Sequence, residues 1–157
     1  MKLAEEKKIV PVLASANVGA NADFDSINMA GFHHATFIVS CGAFTGDGTF
    51  TAFSGATEGA KTTAVPFRHA LGGAAIGTAV LGSVASCDVL GAAVAEADGS
   101  AAITCTTKMI VIEVDADDMA EGHAWLTLNV AATAGIAHVI AILEPRFTGA
   151  RSATALK

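Results

Sequence analysis

Apolar and polar residues alternate with period two along most of this chain, most clearly from Met109 to Val130. Ile110, Ile112 and Val114 alternate with Met109, Val111 and Glu113, and Leu126, Leu128 and Val130 alternate with Trp125, Thr127 and Asn129. On a pleated strand this spacing puts one set on the covered face and the other outside. Between the two runs, Asp115, Asp117, Asp118 and Glu121 keep the connection in water, and Gly122 can take the positive φ that reverses the chain. The pattern predicts a hairpin of strand, polar turn and strand.

The same reading extends to the rest of the chain. Ile9 to Leu13 forms a short extended piece that Pro11 confines to an edge or a lead-in, followed by a polar linker from Asn17 to Asp25 and renewed extension from Phe24 to Met29. His34 to Cys41 is a strand with Ala35, Phe37, Val39 and Cys41 facing the core and His34, Thr36, Ile38 and Ser40 facing away. Gly46-Asp47-Gly48 is a turn, so Thr49 to Phe53 is expected to return as its hairpin partner with Phe50 and Ala52 inward. Val65, Phe67 and His69 predict a short edge strand around Pro66. Ala101 to Thr107 extends again. Ile136 to Leu143, apolar except for His138, predicts a central strand buried on both faces, and Pro145 ends it.

Leu71 to Gly99 departs from this pattern. It is dominated by Gly, Ala, Val and Ser, and Ala70 to Cys87 carries no charge and includes Gly73-x-x-x-Gly77. A membrane helix is rejected because alanine and glycine supply little transfer energy and no basic anchors flank the run. Two weak strands joined by a loop are expected instead. The resulting organisation is all-β: an extended N-terminal arm and lead-in over 1–23, a two-sheet, jelly-roll-like β-sandwich over 24–145 with a long Gly/Ala-rich loop, and an extended C-terminal tail over 146–157.

Composition narrows the function. A chain of 157 residues fits one domain, able to bury roughly 70% of its extended surface. A net charge of -6 with no basic face argues against nucleic acid as a partner. Six of the nine basic residues lie at the ends: Lys2, Lys7, Lys8, Arg146, Arg151 and Lys157. The ends are therefore expected to fasten the protein to an acidic or grooved surface. Ala14-Ser15-Ala16 imitates an export cleavage site, but Glu5, Glu6 and Pro11 spoil the preceding regions, and no signal peptide is expected.

No residue set carries chemistry. Cys41, Cys87 and Cys105 lack Cys-x-x-Cys spacing and read as buried, free thiols of a chain that folds in a reducing compartment. Asp115-x-Asp117-Asp118 with Glu121 fails the EF-hand pattern in its sixth-position glycine and twelfth-position glutamate, which leaves a solvated turn. His33 and His34 are adjacent, so on a strand they point to opposite faces and do not easily chelate one metal together. His69, His123 and His138 are scattered, and there is no Gly-x-Ser-x-Gly elbow or phosphate-cradling loop. Catalytic, cofactor and metal sites are all read as none. Trp125 fits either an exposed interface anchor or a second core contact.

Three segments carry a resemblance: Ile27-Asn28-Met29 before the His34 strand, Val111-Ile112-Glu113-Val114-Asp115-Ala116 before the acidic turn and Gly122-His123, and Ala141-Ile142-Leu143-Glu144-Pro145-Arg146-Phe147. Together they resemble small structural proteins of tailed bacteriophages, of the capsid decoration or cement type. His123 stands where an aromatic is more usual. The resemblance implies a non-enzymatic virion protein, made in the host cytoplasm and bound to the outer surface of the head. Its implied partners are the major capsid protein and further copies of itself, as a dimer or trimer, with no nucleic acid and no membrane. A carbohydrate-binding or adhesive sandwich is the alternative, against which nine aromatics without tyrosine weigh; a hydrolase would need a deep pocket with a paired histidine and carboxylate.

Overall fold

A computed structural model describes residues 6–72 and 99–146, and two antiparallel sheets pack face to face within them. The first sheet contains β1 (Lys8–Val18), β4 (Phe32–Cys41), β7 (Arg68–Gly72), β9 (Met109–Asp115) and β11 (Gly135–Pro145), in the order β1-β11-β4-β9-β7. The second contains β2 (Ala22–Asp23), β3 (Ile27–Asn28), β5 (Gly48–Gly55), β6 (Thr63–Ala64), β8 (Ser100–Ile103) and β10 (Trp125–Ala131). Its path is β2-β10-β5-β6, with β3 also paired to β10 and β8 to β5. Successive long strands change sheets, β4 to β5, β9 to β10 and β10 to β11, which is the wrapping expected of a jelly-roll-like sandwich.

Inward-facing residues of both sheets make one core. Ala35, Phe37 and Val39 of β4, Ile110, Ile112 and Val114 of β9, Phe50 and Ala52 of β5, and Leu126, Leu128 and Val130 of β10 are all buried, as their alternation requires. Each large aliphatic side chain contributes roughly 1.5–3 kcal/mol of burial before entropy is subtracted. Gly122 has φ 79° and Gly46 φ 79°, so both expected turn glycines use the left-handed conformation.

Strand pairing differs from the local expectation in two places. Met109 to Val130 is no hairpin: β9 pairs with β4 and β7, whereas β10 pairs with β5, β2 and β3 in the other sheet. The acidic connection, with a 3-10 turn over Ala116–Asp118, arches across the end of the sandwich. Likewise β5 is not the partner of β4; the turn after Cys41 also carries the chain to the opposite sheet, where β5 lies between β10 and β6.

Three further elements differ in extent or covering. The segment expected to stop at Leu13 continues to Val18 as a full edge strand, irregular in register between Pro11 and Leu13 and again between Leu13 and Ala16, with Val10, Val12 and Val18 in the core. From Lys8 onward the expected arm is thus part of the sheet. Val65 to Phe67 is a buried passage between sheets, and the edge strand begins only at Arg68. β11 is flanked by β1 and β4 but covered on one face: Ala137, Val139, Ala141 and Leu143 are buried, while Ile140 and Ile142 are half-buried and Ile136 is 48% exposed.

Of the Leu71 to Gly99 loop and the 146–157 tail, residues 73–98, including Cys87, and 147–157 lie outside the described residues. Arg146 is anchored, its backbone N–H donating to Gly31 O (3.0 Å) and its Nε to Phe32 O (3.1 Å). Among the described residues no helix is long and apolar enough to cross a membrane.

Candidate functional site

The two outer faces of the sandwich are unlike. That of the second sheet is covered in part by its own chain, over Thr127 and Asn129 of β10, while Thr49, Thr51 and Phe53 of β5 are half-buried. Ser26 Oγ and Thr127 Oγ1 lie 2.7 Å apart, and the Gly59 N–H donates to Ser26 Oγ at 3.1 Å, drawing the loop after β5 onto the sheet. Asn129 Nδ2 and Lys61 Nζ both donate to Asp23 Oδ1 at 2.7 Å, and Lys61 Nζ sits 5.8 Å from the centre of the Phe53 ring. Thr127 and Asn129 are consequently buried although their alternation points them outward, and Trp125, opposite Gly55 and Asn28, is half-buried.

The outer face of the first sheet is apolar. Register places Pro11, Ile140, Ile38, Val111 and Ala70 side by side across all five strands, with Pro11 exposed, Ile140, Ile38 and Val111 half-buried and Ala70 buried. Ile9 and Ile142 continue the stripe on one side, and Met109 lies on the other. Ile9 is 43% exposed and Met109 41%.

One end of this face becomes charged. A cavity of about 370 Å³ is lined by His33, His34, Thr36, Glu113, Asp115 and Glu144. Register explains the gathering: Glu144 pairs with His34, His34 with Asp115, and Thr36 with Glu113, one row behind. The expectation that His33 and His34 face opposite ways is corrected here. Pairing jumps from Glu144–His34 to Pro145–Phe32, so His33 is an extra bulged residue, and both histidines reach the same cavity.

His34 is clasped between two carboxylates. Its Nε2 bonds Glu113 Oε2 and its Nδ1 bonds Asp115 Oδ1 at 2.6 Å, while Thr36 Oγ1 donates to Glu113 at 2.9 Å. Lys7 Nζ donates to Glu144 Oε1, and His33 Nε2 lies 3.2 Å from Glu144 Oε2. The hydrogen bond to Glu113, opposed by partial burial and reinforced by Asp115, raises the His34 pKa to about 9. The Lys7 hydrogen bond holds Glu144 below its ordinary range.

At neutral pH His34 is therefore an imidazolium with both nitrogens donating, which leaves it no lone pair with which to take a proton from a substrate. The arrangement clamps β4 to β9. Among the described residues no group of three His, Cys, Asp or Glu is arranged to hold a metal ion. Ser54 Oγ lies 2.9 Å from His123 Nδ1, but Ser54 is fully buried, so this contact satisfies a core hydroxyl. His69, inward on β7, has its pKa lowered by burial. None of these groupings shows in the sequence, because each depends on pairing between distant strands.

The clasp has a pH signature. The folded-state pKa of His34 lies above 6.5, so its contribution to stability is complete below pH 6.5 and lost as pH rises through about 9. Wild-type protein is expected to lose roughly 1–2 kcal/mol over that window, a figure reduced for solvent screening at the open Asp115 end. Urea titrations at a series of pH values should show this slope in wild type and its absence in His34→Gln. Parallel slopes would rule out the clasp.

The fold and its outer faces define an all-β sandwich with one sheet face that carries a partly exposed apolar stripe. Comparison with family models, with curated proteins and with solved structures finds no match to this chain.

Proposed function

We propose that this chain is a structural protein of a tailed-bacteriophage head, a decoration or cement protein that docks on the outer surface of the shell through the open face of its five-stranded sheet. The observation that carries the reading is the stripe of Pro11, Ile140, Ile38, Val111 and Ala70. β11 has the continuous apolar pattern of a strand covered on both sides, yet the described chain covers only one. A cement protein uses such a surface, because each copy adds a modest contact that is multiplied over a lattice. The phage-like segments around Ile27, Val111 and Ala141 support the same reading. The partners are the major capsid protein and further copies of the chain, as a dimer or trimer; the protein is made in the host cytoplasm and carried on the virion surface.

A hydrolase has one observation in its favour, the histidine and carboxylates paired in a cavity. The protonated state of His34 and the occupation of both its nitrogens weigh against it.

The test is binding to heads prepared without this protein. Ile38→Glu places a charge in the centre of the stripe and leaves the inward residues of β4 untouched. It is expected to weaken co-sedimentation with heads about 100-fold or more, as burial of an unpaired charge requires, with little change in melting temperature. Full decoration by a folded Ile38→Glu protein would overturn the docking face, and failure of wild type to bind heads would overturn the function.

A further inference from the structure

Cys41 and Cys105 are free and buried, at 5% and 0% exposure, and the backbone brings them together from distant parts of the chain. Cys41 ends β4, and its N–H donates to Lys108 O at 2.9 Å. The Lys108 N–H in turn donates to Cys105 O at 2.9 Å, closing a turn through Thr106 and Thr107, and the Thr107 N–H donates to Gly42 O at 2.8 Å. Thr107 occupies the left-handed position of this turn, at φ 58°. One residue, Lys108, is thus hydrogen-bonded to both cysteines. The side chains are neighbours as well: the two thiols share a hydrogen bond, and the Cys105 sulfur packs against Gly48, 3.4 Å from where a Cβ would stand.

We infer that Cys41 and Cys105 form a site of oxidative modification, at which a small peroxide converts the two thiols into an intramolecular disulfide joining the end of β4 to the connection between β8 and β9. The Cys41 hydrogen bond, opposed by burial and aided by Gly48, holds the Cys105 thiol below its ordinary pKa, whereas the same contact and burial push Cys41 up. Cys105 is taken as the attacking sulfur and Cys41 as the resolving one, and the reverse order gives the same disulfide. The Cys105 thiolate attacks one peroxide oxygen, the O–O bond breaks, and the departing hydroxide takes the released proton to leave as water, which leaves a sulfenic acid. The Cys41 sulfur then attacks that sulfur, the S–O bond breaks, and a second water leaves as the disulfide forms. In sum, two thiols are oxidised and one hydrogen peroxide is reduced to two waters. Burial makes the reaction wait for local opening of the connection, so it is slow, but no third thiol has to approach.

The step requires only an oxidant and the folded chain, so it stands apart from the capsid reading. The test uses isolated full-length protein treated with hydrogen peroxide, then denatured, alkylated and mapped by mass spectrometry. Wild type should lose two alkylatable thiols to a peptide cross-linked through Cys41 and Cys105, and Cys87→Ser should give the same product. Oxidised wild type should melt on the order of 5–10 °C higher than reduced protein, and Cys41→Ser should show no such rise. Three alkylatable thiols after peroxide, a cross-link through Cys87, or sulfinic acid on Cys105 without the cross-link would each overturn the inference. If Cys41→Ser does not fold, the Cys87→Ser map still decides the matter.

Discussion

Phe37→Ala is expected to lower the free energy of unfolding by about 3–5 kcal/mol, the range for truncating a buried aromatic. Phe37 is fully buried on β4, in the middle of the five-stranded sheet. Its register neighbours are Ala141 on β11 and Ile112 on β9. β11 presents alanine to the core at 137 and again at 141, so the side chains on that flank are too short to swing into the space left behind. A cavity that cannot collapse keeps the full penalty of lost contacts. Urea denaturation followed by the fluorescence of Trp125 should report the change. A loss below about 1 kcal/mol would mean that β1 or β11 shifts to fill the site.

The second large effect is expected at Gly55, where no cavity is made and the difficulty is one of space. A Cβ there would sit 2.6 Å from the Ala60 Cβ and 2.8 Å from the Ala60 carbonyl carbon. The obstruction is mainly main chain, so no rotamer relieves it, and the loop between β5 and β6 must lift. That loop is tied down by Ala60 N–H to Thr57 O, Thr62 N–H to Ser54 O, and Gly59 N–H to Ser26 Oγ. Gly55→Ala is therefore expected to cost roughly 2–4 kcal/mol, at or above the upper end for overpacking. It should also expose the Ser26–Thr127 pair. Amide exchange should quicken at Gly59 and Thr62 well beyond any change in β4 or β9. Native-like exchange in the loop would mean that the backbone has room the geometry does not show.

The sequence pattern reveals which way residues face much better than which strands pair. Alternation at Phe37 and Val39, at Ile110 and Ile112, and at Leu126 and Leu128 identifies core residues correctly, because burial of a pleated strand is a local, period-two property. Pairing is not local. An acidic stretch with Gly122 suits a hairpin and an arch equally well, and only its length, from Ala116 to Ala124, favours the arch, since hairpin loops usually run about 2–5 residues. The continuous apolar run of β11 was the right signal with the wrong covering: both faces are apolar, but the described chain buries one. The charged cavity was hidden for a different reason. Its members come from β4, β9 and β11, and His33 joins His34 only through a bulge, which no alternation rule anticipates.

The pairing of β1 with β11 carries a consequence for how the protein is made. Lys8 pairs with Leu143 and Val18 with Gly135, so a strand that leaves the ribosome early finds its sheet partner only after more than a hundred further residues have been synthesised. β4 waits as well, for β9 on one side and β11 on the other. Closing such distant contacts is slow, and until then β1 has an unpaired edge. Pro11, which cannot donate a ladder hydrogen bond, and the register irregularities beside it make that waiting strand a poor template for a neighbouring nascent chain.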